Sequence, residues 1–505
     1  MILDANTLER GGLERMFDVC IVGSGPAGIS AARKLAAHGL DVALMEGGGL
    51  DISAESQELY EGDILGLDYY DPTTTRLRYF GGTSNHWGGR SRGLDPYDFE
   101  ARAYHPLSGW PITSGDLDPY AAETDEILDL PPASALPDQP VEGAEDDLKI
   151  VRFRMSPPTR FNSKYRAEMT ASERIRLVVN ANLVDLRVNE AGSAITGAVF
   201  RSYAPEDEGF TIRARAYCLC LGGMENPRAL LNADSQIPGG IGNTHDLVGR
   251  YFSEHPTYNV GQVMFEDAVP PSAGFAPTPE LMAREEILNF NLLMASKGMD
   301  FATEAKRSVA CSADFITRLA ERMLGRPFNC EIGGLGEYFE QRGAEDYRLA
   351  PIGTIIEQAL NPESRVLLTD ETDRFGLRML ALDWRLSPLD YHTLRGSATA
   401  LGQHFAQTGI GRVQMADWLL EETPTPPDLG SPGSEVALHH HMCTTRMSAD
   451  AREGVVDADC KVHGIENLYL GGCSVFASGG HANPTYTIVQ LALRLGDHLS
   501  DVLVS

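Results

Sequence analysis

The sequence predicts a composite α/β chain in which a nucleotide-binding domain, built from separate segments, encloses a second domain. A strand–turn–helix–strand unit opens the chain, alternating strands follow near its middle, and a strand, a small-residue loop and an apolar helix close it. We therefore expect residues 1–100, 165–255 and 431–505 to form the nucleotide-binding domain. Residues 101–164 and 256–430 are expected to form the second domain, with a mostly antiparallel sheet flanked by helices.

The opening unit has the pattern of a dinucleotide-binding βαβ motif. The apolar run FDVCIV at 17–22 ends at GSGPAG, a helical pattern follows, and DVALME at 41–46 reads as the next strand. Gly23, Gly25 and Gly28 form G-x-G-x-x-G in a unit of the usual length of about 30 residues. Backbone at such a turn can approach a pyrophosphate at the helix N-terminus, so we expect a Rossmann-like fold.

Glu46 ends the second strand of this unit, 18 residues beyond Gly28. A carboxylate there accepts hydrogen bonds from an adenosine ribose and repels a 2′-phosphate, which disfavours NADP. These features do not distinguish NAD from FAD, and a fortuitous glycine turn is the alternative.

The middle of the chain changes pattern twice. Strands between 176 and 221 predict a return to the nucleotide-binding domain, whereas 132–144 has the composition of a surface linker. Beyond residue 255 the pattern indicates a separate module, with a helix near 313–323 and strands at RVLLT and LRMLALDWRL. The helix PTYTIVQLALRLGDHL is expected to pack back on the first domain.

Composition excludes several classes of function. Among 505 residues, 42 basic and 71 acidic side chains leave a formal charge of −29, which excludes broad affinity for nucleic acid or anionic membranes. No apolar run approaches the roughly 18 residues of a spanning helix, so we expect a soluble, cytoplasmic protein. The eight cysteines form no C-x-x-C, which favours reduced thiols over disulfides or a zinc site.

Several separated motifs resemble those of one enzyme family. VGSGPAG with Glu46, LGGMENPRALL at 221–231, VGRYFSEHP at 248–256, HHMCTTRM, NLYLGG and ANPTYT occur in the order found in the glucose-methanol-choline (GMC) oxidoreductases. The resemblance runs from about residue 15 to 503 and is weakest over 257–430. It implies an FAD enzyme that oxidises alcohols.

Three details resemble one branch of that family. GGTSNHWGG, with His86 and Trp87, is similar to the segment that carries the flavin in pyranose 2-oxidases. Cys473 replaces a common Gly-Asp pair, and Asn483 stands where glucose oxidase-like members have a second histidine. The length favours the bacterial sugar and C-glycoside 3-oxidases that are similar to pyranose 2-oxidase.

The resemblance implies a set of FAD-contacting residues. They are Gly23, Ser24, Gly25, Gly28, Glu46, Gly82, Ser84, Asn85, His86, Trp87, Leu183, Gly222, Gly472, Cys473, Asn483, Pro484 and Thr485. For His86 it also implies a covalent flavin link, but Gly88 replaces the threonine that follows in pyranose oxidases. Contact without a covalent link, or a merely structural loop histidine, therefore stays open.

The resemblance also assigns the catalytic pair. The family base lies seven residues before the methionine of H-x-x-x-T-x-x-M, which selects His440 from Met447. A neutral imidazole has the right basicity to take a hydroxyl proton, and Asn483 would orient the oxygen. His481 is the rival to Asn483, and a core histidine is the alternative for His440. If 439–441 were a strand, His440 would point away from its two histidine neighbours, which disfavours metal binding.

The expected reaction is oxidation of a secondary ring hydroxyl, at C2 or C3, of a pyranose or glycoside, with O2 or a quinone-like acceptor reoxidising FAD. The alternatives are a sugar or alcohol dehydrogenase without oxidase activity, an NAD-dependent dehydrogenase and a non-catalytic flavin-binding protein. The substrate loop is expected within 270–345. The sequence does not indicate an oligomeric state.

Overall fold

The computed structural model describes residues 2–7, 13–265, 274–294, 349–429 and 437–504. Within these ranges the α-helices are α1 (Pro26–Ala37), α2 (Ala54–Gln57), α3 (Ala121–Ile127), α4 (Phe161–Ala171), α5 (Gly222–Asn232), α6 (Pro279–Glu285), α7 (Pro388–Thr408), α8 (Asp417–Leu420) and α9 (Thr485–Val504). The strands are β1 (Ile2–Asp4), β2 (Met16–Val22), β3 (Val42–Met45), β4 (Gly62–Ile64), β5 (Arg90–Ser91), β6 (Gln139–Pro140), β7 (Leu148–Val151), β8 (Arg154–Met155), β9 (Ile175–Val179), β10 (Asn182–Val188), β11 (Ile195–Arg201), β12 (Phe210–Leu219), β13 (Thr257–Phe265), β14 (Gly274–Pro277), β15 (Phe290–Met294), β16 (Leu349–Ile356), β17 (Arg365–Thr372), β18 (Arg378–Asp383), β19 (Gly411–Met415) and β20 (Leu468–Leu470).

The first sheet joins strands from three distant parts of the chain. Its order is β1-β9-β3-β2-β12-β11-β10, and β20 pairs with β12. Strand β12 is antiparallel to β11 over its first residues and parallel to β2 and β20 over its last ones. The parallel part is the Rossmann-like sheet, and β10 and β11 extend it as a hairpin.

Burial explains why the central strands are apolar throughout. Val19 and Ile21 of β2 are fully buried, and so is every residue of β3. Parallel strands covered on both faces have this continuous apolar pattern. Helices α1 and α9 supply buried leucines to the same core, including Leu35 and Leu495.

The second sheet is antiparallel throughout, in the order β19-β13-β16-β15-β14-β7-β6. Helix α7 begins with a capping box of Ser387 and Asp390 and ends at Gly409, whose φ is 72°. Its Leu401 and Phe405 belong to the core beneath this sheet. A third sheet, β17-β18-β4, pairs residues 62–64 with residues 380–382.

The predicted fold class is confirmed: a discontinuous Rossmann-like domain is combined with an antiparallel sheet flanked by helices. The strands expected within 176–221, at RVLLT and at LRMLALDWRL are present. The helix expected at 313–323 lies outside the described residues, as does most of the expected loop at 270–345.

The expected domain boundaries differ from the packing in one region. Side chains between residues 110 and 128 were assigned to the second domain but belong to the core of the first sheet, because Trp110 and Leu128 pack there. Strand β7, from the same segment, does join the second sheet. The division itself stays a prediction.

Over the described residues, no helix is both long and apolar enough to cross a membrane.

Candidate active site

One cavity of about 1110 Å³ collects nearly all the predicted site residues. It runs along the glycine turn after β2 and reaches the segment 438–441 and the start of α9. The predicted residues on its wall are Gly23, Ser24, Gly25, Glu46, Gly82, Ser84, His86, Trp87, Leu183, Gly222, Gly472, Cys473, His440, Asn483, Pro484 and Thr485. Residues more than 400 positions apart in the sequence therefore share one site.

Two predicted contact residues lie outside this wall. Gly28 packs against the turn, since a Cβ there would lie 1.9 Å from the carbonyl oxygen of Gly23. Asn85 is buried and spans two loops, because its Nδ2 donates to Phe80 O at 2.9 Å and its Oδ1 accepts from the Asn162 amide at 3.2 Å. Both residues shape the site without lining it, and their direct contact with a cofactor stays a prediction.

The glycine turn leaves room for a ligand. Gly23 has a φ of 100°, and α1 begins directly after Gly25 with Pro26 at its first position. A Cβ built on Gly25 or on Gly222 meets no protein atom within 4 Å. The backbone amides at this helix N-terminus therefore face open space suited to a pyrophosphate.

Glu46 is nearly fully buried beside this turn. Its Oε2 accepts from the Ser24 amide at 3.1 Å and from Ser24 Oγ at 2.6 Å, and its Oε1 accepts from the Gly48 amide at 2.8 Å. A carboxylate has about four acceptor positions, so one remains for a ribose hydroxyl. These contacts orient the carboxylate toward the cavity that it lines.

The segment at 82–88 forms another part of the wall. Residues Gly82–Asn85 make a 3-10 turn, and Trp87 Nε1 donates to Thr159 O at 2.8 Å. Burial, with the neighbouring His439, lowers the pKa of His86 to about 4. A Cβ at Gly88 would meet nothing within 4 Å, so this position is open.

His440 lies on the cavity wall between two partners. Its Nε2 is 3.4 Å from Asn483 Nδ2, and its Nδ1 is 2.8 Å from His255 Nδ1. Burial holds the pKa of His440 well below its ordinary value. The imidazole is therefore neutral at pH 7 and able to accept a proton.

The three successive histidines do not form a strand. His439 has a φ of 61°, and all three side chains line the cavity. The condition under which His440 would point away from its neighbours is not met, because alternation of faces requires an extended backbone. Within the described residues, no group of three or more His, Cys, Asp or Glu side chains has a metal-binding arrangement.

The structure separates the two candidates for the second polar residue. Asn483 lines the cavity beside His440. His481 is 1% exposed and lies against the ring of Phe153, and it does not belong to the cavity wall. This geometry favours Asn483.

Sequence reasoning missed Glu254 and His255, which are fully buried behind His440. His255 Nε2 is 2.8 Å from the carbonyl oxygen of Gly480, and Glu254 accepts backbone hydrogen bonds from His255, His440 and Leu438. The motif VGRYFSEHP contains both residues and served only as a family marker. A buried Glu-His pair in that motif was the signal available.

Comparisons with known proteins match two segments of the chain. Residues 361–492 match the family model for GMC oxidoreductases, and residues 17–66 match that for pyridine nucleotide-disulphide oxidoreductases. The chain is therefore similar to the GMC oxidoreductases over residues 361–492. It is an FAD-dependent oxidoreductase that acts on CH–OH groups.

Several characterised proteins are similar to this chain. A 6'''-hydroxyparomomycin C oxidase from Streptomyces lividus is 25% identical, covering 96% of this chain and 92% of that protein. A C-glycoside 3-oxidase from Microbacterium trichothecenolyticum is 27% identical, covering 32% of this chain and 30% of that protein. A solved fungal aryl-alcohol oxidase covers 98% of this chain and is itself covered in full, at 15% identity and a TM-score of 0.57, which indicates a shared fold.

The cavity fits FAD on its own geometry. The open glycines at the start of α1 and α5 suit the pyrophosphate, and Glu46 suits the ribose. Leu183, His86, His440 and Asn483 lie on the wall of the same cavity. A cavity of this volume can therefore hold a long dinucleotide.

Proposed function

We propose that this enzyme oxidises a secondary ring hydroxyl, at C2 or C3, of a neutral pyranose or glycoside to the ketone. His440 removes the hydroxyl proton and Asn483 holds the hydroxyl oxygen. The observation that carries the proposal is the pairing of His440 Nε2 with Asn483 Nδ2, 3.4 Å apart on the cavity wall. A hydroxyl within hydrogen-bond distance of both atoms donates to the imidazole and accepts from the amide.

The protonation state of His440 supports its role as base. Because burial lowers its pKa, the ring is neutral at pH 7 and can take the hydroxyl proton at Nε2. Bound FAD would supply the two-electron oxidant that takes a hydride from the carbon bearing this hydroxyl. The oxygen loses a proton and the carbon loses a hydride, which carries both electrons, so the product is a ketone.

The acidic side chains on the cavity wall do not favour a cationic substrate. Its acidic side chains, among the described residues, are Glu46, Glu225 and Asp373. Glu46 accepts from the glycine turn, whereas Glu225 and Asp373 form ion pairs with Arg76 and Arg228. No described wall carboxylate therefore lies free to bind a cationic amino sugar, although one relative is a paromomycin-type oxidase. The similarity to a C-glycoside 3-oxidase supports a glycoside substrate.

Anaerobic flavin bleaching tests the proposal. Purified enzyme is mixed under argon with D-glucose, methyl β-D-glucopyranoside, a C-glucosyl flavone, a primary aryl alcohol and paromamine. We expect the visible flavin band to bleach with one of the three sugars and the product to be its C2 or C3 ketone. Bleaching by the aryl alcohol or paromamine alone would overturn the substrate class, and a preparation without a flavin band would favour a nicotinamide enzyme.

The electron acceptor is tested in the same preparation. Bleached enzyme is mixed with air-saturated buffer or with anaerobic benzoquinone, and the return of the flavin band is timed. Fast reoxidation by air with formation of H2O2 supports an oxidase, and reoxidation by the quinone alone supports the dehydrogenase alternative.

Acid precipitation tests whether FAD is covalently linked to His86, because a covalent flavin stays in the pellet and a free one stays in the supernatant.

A further inference from the structure

The segment that joins the first sheet to β13 places a second histidine behind the proposed base. His255 is fully buried and does not line the cavity. Its two ring nitrogens have different partners: Nδ1 is 2.8 Å from His440 Nδ1, and Nε2 is 2.8 Å from Gly480 O. The two rings are nearly perpendicular, with centroids 5.0 Å apart.

The carbonyl partner determines the direction of the hydrogen bonds. A carbonyl oxygen only accepts, so His255 Nε2 carries a proton. Burial lowers the pKa of His255 to about 4, which keeps the ring neutral, and its Nδ1 is then an acceptor. The proton between the two Nδ1 atoms therefore belongs to His440. In neutral His440 this leaves the lone pair on Nε2, the atom that faces Asn483 Nδ2.

We propose that His255 is a positioning residue, which holds His440 in the tautomer protonated at Nδ1 so that Nε2 is free to accept the substrate proton. The proposal rests on the proposed function of His440 as the base. In the opposite tautomer Nε2 would carry a proton and could not act as a base.

The same contact serves the protonated state. When the substrate proton arrives at Nε2, the His440 imidazolium still donates from Nδ1 to His255 Nδ1. A neutral acceptor at 2.8 Å stabilises the cation and opposes the burial that disfavours it. His255 thus acts on the basicity of His440 as well as on its tautomer.

Glu254 holds the backbone that carries this arrangement. Its carboxylate accepts from the amides of His255, Leu438 and His440 and from the hydroxyl of Tyr69. The adjacent residues of one segment therefore fix His440 twice, at the backbone through Glu254 and at the ring through His255.

The remaining charged and titratable groups around the pair are few. His439, His441 and Arg90 face His440 and disfavour its protonation, whereas Glu357 acts on His255 in the opposite sense. None of these groups accepts the hydrogen bond from His440 Nδ1, because His255 Nδ1 is the partner of that atom.

The tautomer is measured without any substrate. Two-bond 1H–15N correlation spectra of histidine-labelled holoenzyme report which nitrogen of each ring is protonated. We expect one signal set of the Nδ1-protonated type to disappear in His440→Ala and to shift toward the Nε2-protonated type in His255→Ala. An unshifted His440 signal in His255→Ala would overturn the inference, whatever the substrate is.

A double-mutant cycle measures the effect on catalysis. Flavin reduction is followed in single turnovers with the sugar of the bleaching panel that reduces the unmodified enzyme fastest. We expect His255→Ala to slow reduction by about 10²-fold or more, since a wrong tautomer in a catalytic triad slows the reaction by up to about 10⁴-fold. In the His440→Ala background the same substitution should produce no further slowing.

His255→Asn is the matched variant. An amide oxygen in place of Nδ1 can accept from His440, so reduction should remain within about tenfold of the unmodified rate, and the low-pH limb of its pH profile should move less than in His255→Ala. Equal slowing in the Asn and Ala variants, or further slowing in the His440→Ala background, would assign His255 a packing role and overturn the inference. Normal reduction in His440→Ala would instead contradict the proposed function.

Discussion

At the scale of single residues, the chemistry of the site depends on burial. His440 is neutral because burial disfavours the cation, and the contact of its Nδ1 with His255 leaves Nε2, which faces Asn483, for the substrate. Three donors from Ser24 and Gly48 satisfy the oxygens of the buried Glu46 side chain and fix its orientation.

The first prediction concerns His440. In His440→Ala the FAD content should be unchanged, whereas flavin reduction by the best panel sugar should slow by about 10²–10⁴-fold, the usual effect of losing a general base. Stopped-flow absorbance under argon measures the rate. His463→Ala, which removes a histidine bonded to Ser448 O on another loop, is the control and should reduce at the normal rate. Normal reduction in His440→Ala would exclude it as the base.

The second prediction concerns Glu46. Glu46→Gln keeps the size of the side chain but replaces one acceptor oxygen by a donor. This new donor faces the Ser24 donors or the Gly48 amide, depending on which oxygen is replaced. We expect FAD to bind about tenfold more weakly or worse, since a lost charge-assisted hydrogen bond is worth about 1.5–3 kcal/mol. Fluorescence titration of the apoenzyme with FAD measures this. Glu55→Gln, at an exposed ion pair with Arg374, should bind FAD normally.

At the scale of elements, the turn between β2 and α1 shows two distinct needs for glycine. Gly28 is required by the protein itself, because a Cβ would collide with the Gly23 carbonyl. Gly25 has an ordinary φ of −77° and an open surrounding, so the space at its Cα serves a ligand. The sequence pattern predicts both glycines but does not tell these reasons apart.

The third prediction separates the packing requirement at Gly28 from the ligand space at Gly25. Gly28→Ala should lower the unfolding free energy by at least the roughly 1–3 kcal/mol typical of overpacking and should also weaken FAD binding. Gly25→Ala should leave the stability of the apoenzyme unchanged and weaken FAD binding only. Urea unfolding of the apoenzyme and FAD titration measure the two effects. A destabilised Gly25→Ala apoenzyme would contradict the assignment of that space to the cofactor.

The segment 439–441 shows where pattern reasoning fails at this scale. Alternation along a strand predicted divergent histidines, yet His439 adopts a left-handed conformation and the segment is irregular. Periodicity carries information only where the backbone is regular. The motif positions nevertheless selected His440 and Asn483, which both line the cavity. Counting residues within a motif does not depend on side-chain direction.

At the scale of the whole molecule, the two sheets are joined by buried polar contacts. Arg102, from the segment before α3, forms a bidentate ion pair with Glu357 at the end of β16, at 2.8 and 2.6 Å. Both side chains are essentially inaccessible. Burial alone would raise the pKa of Glu357, but Arg102 lowers it to about 2.

The fourth prediction follows from this pair. Arg102→Met leaves Glu357 buried without a partner, which should destabilise the holoenzyme by about 3–5 kcal/mol at pH 7. Because the folded pKa lies below the ordinary value of 4.5, the pair contributes fully above that pH and is lost as the pH falls toward 2. The urea midpoints of the unmodified enzyme and of Arg102→Met, measured at several pH values, should therefore converge in acid.

Two controls accompany this variant. The double variant Arg102→Met with Glu357→Gln should recover part of the loss, because no charge is left buried. Arg452→Met removes a fully exposed partner of Asp450 and should leave the midpoint unchanged. An equal loss in the single and double variants at every pH would contradict the electrostatic explanation.

The sequence by itself determined the features that depend on neighbouring residues. The βαβ unit, its glycine turn and the position of Glu46 at the end of the second strand follow from short spacings, because local backbone geometry depends on local residues. The resemblance to a known family implied His440 and Asn483. Tertiary structure decided the contacts between distant segments: His255 with His440, 185 positions apart, and Arg102 with Glu357, 255 apart. Such pairs form only when the whole chain packs, and the low dielectric of that packed interior sets their protonation states.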